Sequence, residues 1–544
     1  KSPGDFTLIG HNKLPRKDSA SKVNGEAVFT QDIQLPDMLV AVVAHPPRFG
    51  AKLKSVDDSK ARAIKGVTEI LAYEGGDGYF GGVAVLSRNT WIAQQGRDAL
   101  NIEWDQTDAS HADSAELFKL YGELADQPGA AYRESGDINQ GISESDTLIE
   151  AQYAFPYLAH ACMEPLNCVV QMKDQGCEIW NGEQGHSLDQ NRIADALGVR
   201  PDQITINTLF AGGSFGRRAS KKADYLLEAI SIAKAAREKG HHGPIKLVWM
   251  RQEDTRGGYY RPLYLHRLKA GLDRDGRLLA WSQRIVGQSV TAGTPFASQG
   301  VDHTSVEGAG GAYAVKHQQI DLHTPAVGVP VLWWRSVGHT HTGYATECMM
   351  DELAHAAEQD PVAFRLKHLD ATSREAGVLR LVAEKAGWDQ PLAAASDKSR
   401  RGRGVAVVKS FNSYVAQVAE VSIAENGDLN VDRVVCAVDC GLAINPDVVR
   451  AQMEGGIGFG LSAVLHQSLT LEDGVVQQSN FHDYRMLRIS EMPQIDVHIM
   501  PSQAPPTGVG EPGVPVIGPA LANAIFQATG KRIRKLPIGD QLKT

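Results

Sequence analysis

The chain has 544 residues, 42% of them apolar and 22% charged, with a net charge of −9 and a pI near 6.1. Such values describe a globular protein with a large core spread over several domains. The absence of a basic block argues against nucleic acid as a partner, and no apolar run reaches the length of about 18 residues needed to span a bilayer.

Along the chain, residues 38–44 and 81–86 read as buried strands, with a helix over 89–100 and a strand ending at Trp104. Residues 105–145 are polar, acidic and glycine-containing, and are expected to form a linker. Strands over 148–155 and 168–172 and a helix over 188–197 follow. A strand over 204–210 leads into a glycine turn, and a long helix is expected over 222–238, stopped by Gly240. Strands are expected over 245–250 and 263–272, and a helix over 345–357, before Asp360-Pro361 opens another. A second mixed block begins near 401, with strands over 404–408, 416–423 and 431–437. It closes on a helix over 517–529, ended by Gly530. The six cysteines (Cys162, Cys168, Cys177, Cys348, Cys436, Cys440) form no CxxC pair, so neither zinc nor an iron–sulfur cluster has ligands here. They are expected to be buried thiols.

Five segments could carry chemistry. Gly212-Gly213-Ser214-Phe215-Gly216-Arg217-Arg218 joins a strand to a helix. Glycines and free helix-start amides suit an anionic ligand, and arginines add charge-assisted contacts; a plain tight turn is the alternative. Gly510-Glu511-Pro512 places one carboxylate in a rigid extended loop. In a dry pocket it would be a base, on the surface merely a solvated group. In Trp334-Arg335-Ser336-Val337-Gly338-His339-Thr340-His341, Arg335 needs a partner if buried, as an anion binder or in an ion pair, and two histidines on a strand could bind metal. Glu164, in an apolar stretch, reads as a structural carboxylate or a substrate contact. His482-Asp483 is no dyad, since neighbours on a strand face opposite ways. Patterns for serine hydrolases, HExxH proteases and EF-hands are absent.

Taken in order, these segments, with Cys440-Gly441 through Asn445-Pro446, Gln452-Met453-Glu454-Gly455-Gly456 and Asn480-Phe481-His482-Asp483-Tyr484, resemble the molybdopterin-binding large subunit of the xanthine oxidase family. The resemblance is to the isoquinoline 1-oxidoreductase and periplasmic aldehyde dehydrogenase branch. It implies an α+β fold: a small α/β hammerhead domain over 1–108, a linker over 109–145, and two elongated cofactor-binding domains over 146–400 and 401–544. It implies a molybdenum–molybdopterin cytosine dinucleotide cofactor, the metal being held through the pterin dithiolene rather than by side chains. Gly212, Gly213, Ser214, Phe215, Gly216, Arg217, Arg335 and Gly510 match the cofactor-binding positions. Val337, Ala219, His341 and Glu164 are expected to line the substrate pocket. Glu511 matches the family's catalytic glutamate, a proton acceptor asked for roughly 10²–10⁴-fold of the rate.

The chain also departs from the family. The wall glutamate and arginine of purine-oxidising members have no match at Ala219 or in Glu307-Gly308-Ala309, and Val337 stands where a phenylalanine sandwiches the ring, so purines are not the expected substrate. The expected reaction turns an aldehyde into its acid, with hydroxylation beside the nitrogen of an N-heteroaromatic ring as the second reading and a non-catalytic scaffold or cofactor-insertion protein as a third. The family's Gly-Gln-Gly loop is absent, and is expected on a lost upstream segment or another chain. A chain that opens without Met reads as a processed product. Electrons are expected to leave through a small [2Fe–2S] ferredoxin-like partner subunit and a cytochrome c subunit. The expected location is periplasmic, associated with the inner membrane through a partner, with the cytoplasm as the alternative.

Overall fold

The structure, a computed structural model, describes residues 5–11, 14–294, 297–298, 300–393 and 399–543. Its architecture is α+β, built on three principal sheets. The largest has seven strands, in the order Ile204–Thr208, Cys177–Asn181, Asn167–Met172, Ile245–Val248, Leu39–Ala44, Gly82–Ser87 and Val67–Tyr73. Leu39–Ala44 runs parallel to Ile245–Val248, with Leu39 opposite Ile245. The hammerhead-like N-terminal region and the chain beyond 166 therefore share one continuous sheet, and no boundary at 108 divides their backbone hydrogen bonds. Both strands are buried, the helix Asp224–Glu238 packing on Ile245–Val248 and Thr90–Asp98 on Leu39–Ala44; the one charged residue in them, Lys246, donates to the Gln31 carbonyl.

The second sheet has five strands, ordered Ala130–Ser135, His317–His323, Leu278–Gly287, Tyr264–Leu272 and Thr147–Phe155. Its edge strand comes from the stretch expected to be a linker. That stretch holds the helices Ser114–Leu124 and Ile138–Ser143, capped by the Asp113 and Asp137 side chains, on either side of the strand. An edge strand exposes one face, so its composition looks like that of a loop; its partner, His317–His323, is distant in sequence. The third sheet, Arg400–Ser410, Ser413–Ile423, Leu429–Asp439 and Gln494–Ile499, lies wholly within residues 400–499.

One helix, His339–Ala356, lies between the second and third sheets and is buried along nearly its whole length. It starts six residues earlier than its periodicity suggested. The two histidines expected on a strand are thus on its first turn, where residues two apart point away from each other. Its charged residues are matched internally. Glu347 takes a 2.8 Å bond from buried Arg365 and accepts from Tyr313 and the Val407 amide. Glu352 holds Tyr153 and Arg534. All six cysteines are buried and free. Among the described residues no helix is long and apolar enough to cross a membrane.

The helix Ile517–Thr529, which follows the loop carrying Glu511, lies directly on the strand Arg400–Ser410. The approach depends on Gly404: a Cβ there would sit 2.2 Å from the Ala524 nitrogen and 2.4 Å from the Ala520 oxygen. Gly404→Val is therefore expected to push the helix off the sheet and to destabilise the protein by at least ~1–3 kcal/mol, read as a lowered urea midpoint.

Candidate active site

Three loops and one helix converge: the glycine turn, the 333–338 segment, the 507–514 loop and the helix Pro446–Leu465. The glycine turn does not start a helix; the helix Asp224–Glu238 begins eight residues after Gly216. The turn is shaped by left-handed backbone at Phe215 (φ 54°) and Gly216 (φ 112°). A Cβ at Gly216 would lie 2.3 Å from the Trp333 carbonyl oxygen, so this position brings two backbones into contact.

Behind the turn, Glu164, Arg217 and Arg218 are engaged with protein groups. Glu164 accepts the Gly212 amide at 2.7 Å and an Asn167 side-chain N–H at 3.1 Å, with Arg218 3.5 Å away. It is a strut for the turn, which corrects its expected place in the substrate pocket. Arg217, 3% exposed, donates to both oxygens of Asp224 at 3.2 and 2.6 Å and stacks over Tyr259. Arg218 donates to the Gly182 carbonyl at 2.8 Å. Arg217 therefore cannot serve as the expected cofactor contact: a buried cation already neutralised by a carboxylate has nothing to offer a ligand. Ser214 sits at the front and donates to Gln184. Ala219 is half-buried just past the turn, its amide bonded to the Gly216 carbonyl.

The Phe215 ring stacks on Phe459 at 4.3 Å between centroids, and Phe459 stacks on Trp334 at 4.5 Å. Leu158, Ala463 and Val514 complete this apolar floor. Above it, successive amides of one segment reach two different loops. The Arg335 N–H donates to the Phe215 carbonyl at 2.9 Å, and the Ser336 N–H donates to Glu511 Oε1 at 3.0 Å. Ser336 Oγ also donates to the Glu511 carbonyl oxygen, at 2.5 Å. Ser336 and Val337 have φ of 77° and 48°. Such non-glycine strain persists only where surrounding contacts over-determine it.

Arg335 Nε donates to the Gly510 carbonyl at 2.7 Å and Nη2 to Gln452 Oε1 at 2.9 Å. Carbonyl dipoles, rather than a carboxylate within ion-pair distance, meet this guanidinium. Burial holds its pKa below the usual arginine range, while Glu511 opposes that shift. The Glu511 carboxyl is pushed the other way, above the usual glutamate range. Desolvation is the main cause, opposed by the Ser336 hydrogen bond and Arg335, reinforced by Glu307 and opposed in turn by His339. A half-buried carboxylate with a raised pKa beside an unneutralised cation is the arrangement a general base needs.

Val337 is half-buried beside this carboxylate. His341 is not at the pocket: it is fully buried, stacked on Tyr264 at 3.6 Å and hydrogen-bonded to His266 at 2.8 Å, because the helix turns it into the core. His482 lies on an exposed turn, and Asp483 caps the Ser479 and Asn480 amides. Sequence reasoning missed Ser336, Gln452 and Phe459, whose roles depend on neighbours far away in the chain. Among the described residues no group of three His, Cys, Asp or Glu side chains could hold a metal ion.

A molybdopterin fits these residues. A Cβ on Gly510 would meet no atom within 4 Å, so the loop beside Arg335 is open. Arg335 supplies a cation with no carboxylate on it, and the left-handed turn at 215–216 presents backbone rather than side chains. Residues 124–369 match the model of a molybdopterin cofactor-binding domain, and residues 342–493 match a second model of that description. The chain is 34% identical to "Isoquinoline 1-oxidoreductase subunit beta" of Brevundimonas diminuta, covering 100% of this chain and 69% of that one. It is 29% identical to "Membrane-bound aldehyde dehydrogenase [pyrroloquinoline-quinone]" of Gluconacetobacter polyoxogenes, covering 99% and 73%. Among solved structures, quinoline 2-oxidoreductase from Pseudomonas putida 86 superposes with a TM-score of 0.82 at 15% identity, covering 98% of this chain and 97% of that one. Aldehyde oxidoreductase from Desulfovibrio gigas gives 0.80 at 17%, covering 99% and 81%.

The two arginines differ in a measurable way. Arg217→Ala strands Asp224 in the core and is expected to cost ~3–5 kcal/mol in urea denaturation. Arg335→Ala removes a cation held only by carbonyls and is expected to cost under about 1.5 kcal/mol.

Proposed function

The chain belongs to the molybdopterin-binding subunits of the xanthine oxidase family, and from that premise we propose that it is the catalytic subunit of a molybdenum hydroxylase that oxidises an aldehyde to its carboxylic acid. One observation carries the reading: Glu511, with a raised pKa, hangs from the same segment that grips the Phe215 backbone, with Arg335 beside it. When bound, molybdopterin supplies the redox chemistry, taking up an electron pair and delivering oxygen derived from water. The backbone at 215–216, Arg335 and Gln452 are the groups that would hold it.

The protein's own part is orientation and proton transfer. The Ser336 amide fixes Glu511 Oε1; Oε2 then takes the proton. The Phe215–Phe459–Trp334 stack keeps water from the floor of the cleft and so keeps the carboxyl basic. We take the cofactor to be the cytosine dinucleotide form, with electrons passing to a [2Fe–2S] subunit and then to a cytochrome c in the periplasm. A further segment or chain supplies the Gly-Gln-Gly loop. Hydroxylation beside a ring nitrogen is a second reading, favoured by the identity to the isoquinoline 1-oxidoreductase subunit.

Glu511→Gln keeps an acceptor for the Ser336 amide but removes the base. It is expected to lower kcat by about 10²–10⁴-fold with molybdenum and pterin content unchanged. Full activity in this variant, or an active preparation free of molybdenum, overturns the reading. Because desolvation raises the Glu511 pKa, activity is full above that raised value and is lost as pH falls through it. The acid limb of kcat/KM is therefore expected above the titration range of a free glutamate. Stability runs the opposite way: it falls as pH rises from the ordinary glutamate value through the raised one, and Glu511→Gln removes that loss.

A further inference from the structure

Three of the five residues 212–216 are glycine, and Gly213, Phe215 and Gly216 are left-handed (φ 104°, 54° and 112°). A strained turn with so few side chains keeps its shape only if contacts from outside over-determine it. The segment 158–164 lies along its back and supplies them at every second residue. Glu164 accepts the Gly212 amide at 2.7 Å with a side-chain oxygen and donates its own amide to the Gly212 carbonyl at 3.0 Å. Cys162 Sγ donates to the Ser214 carbonyl at 3.2 Å. His160 stands behind Gly216, where a Cβ would lie 3.3 Å from its Nε2. The rungs 164–212, 162–214 and 160–216 step by two in opposite directions, a single antiparallel register along both segments.

The His160 rung reaches furthest. Its Nε2–H donates to the Trp333 carbonyl at 2.7 Å, the same oxygen that Gly216 approaches so closely. Burial, opposed by that carbonyl and reinforced by Arg217, holds the His160 pKa down to about 3, so the ring is a neutral donor at any working pH. It thereby joins the turn that carries Phe215 to the segment whose Ser336 amide holds Glu511. The segment 158–164 is itself pinned. Tyr484 Oη accepts the Ala159 amide at 3.0 Å, and Trp334 Nε1 donates to the Ala159 carbonyl at 3.3 Å. Arg251 Nη2 donates to the Cys162 and Met163 carbonyls at 2.6 and 3.0 Å. Between two rungs, Ala161 is left-handed (φ 50°), a strain that such pinning sustains.

We propose that residues 160–164 are the template that sets where the Phe215–Gly216 backbone stands in the cleft, with His160 the positioning residue that locks this backbone to the segment holding the base. The three side chains are engaged with backbone and act through the turn. Losing the His160 donor leaves the Trp333 carbonyl without its side-chain partner and frees the turn and the 333–338 segment to move apart. The effect on rate rests on the functional reading above; the effect on the turn does not.

The test compares His160→Leu, which fills the space without a donor, with His160→Gln, which keeps an N–H at similar reach. Hydrogen exchange, read by mass spectrometry on the whole protein, is expected to quicken at least about tenfold in His160→Leu over residues 212–219 and 333–338, and to stay unchanged over 415–423 in the third sheet. In the assembled holoenzyme, kcat per bound molybdenum is expected to fall at least about tenfold, with KM within about threefold of wild type. His160→Gln is expected to bring both exchange and kcat back to within about threefold of wild type. Should His160→Leu fail to fold, the next rung decides: Cys162→Ala is expected to quicken exchange over 212–219, and Cys162→Ser, which keeps a donor, is not. Wild-type exchange over 212–219 in the donorless variant, equal quickening in the third sheet, or no recovery with glutamine overturns the proposal. If the wild-type protein binds no molybdenum, the functional reading fails instead, and hydrogen exchange still decides the template.

Discussion

Two consecutive backbone amides hold this site together. Those of Arg335 and Ser336 point to different loops, one to the Phe215 carbonyl and the other to the Glu511 carboxylate. Adjacent amides diverge in this way because the chain turns left-handed at Ser336 and Val337. A few kcal/mol of strain, of order 1–3 per residue, is offset by the contacts it permits: Ser336 Oγ on the Glu511 backbone, Arg335 on Gly510 and Gln452, and the helix that starts at His339. Were this segment to relax, the base and the glycine turn would lose their common reference.

Charge distribution separates the scaffold from the chemistry. In the scaffold, several cations meet an anion directly: buried Arg217 with Asp224, buried Arg365 with Glu347, and partly exposed Arg534 with Glu352. At the site this matching is withheld. Arg335 rests on carbonyls, and Glu511 Oε1 on a single amide. Low hydration then moves the pKa values of Arg335 and Glu511 away from their ordinary ranges and toward neutrality.

Much of the site was legible in the sequence. Gly212 to Gly216, Arg335, Gly510 and Glu511 carry their own signals: glycines where backbones approach, an arginine among apolar residues, a lone carboxylate held by Pro512. The same logic misplaced Arg217, Glu164 and His341. An arginine next to a glycine turn looks like a ligand contact until Asp224, seven residues on, is seen to neutralise it. His341 looked available because its helix was expected to begin later. Residues 109–145 looked like a linker because an edge strand shows its hydrogen-bonding partner only when a distant segment is brought beside it.

By itself, the sequence determined the element types where hydrophobic periodicity is strong and the positions of the tight turns, and it marked one carboxylate, Glu511, and one arginine, Arg335, as candidates with their roles open. Those properties are local, set by residues within a few positions of each other. Only the tertiary structure decided which charges are spent in pairs, and that Ser336, Gln452 and Phe459 belong to the site. Pairing, burial and the pKa shifts that follow from them depend on neighbours far away along the chain, and a linear reading contains no distances between them.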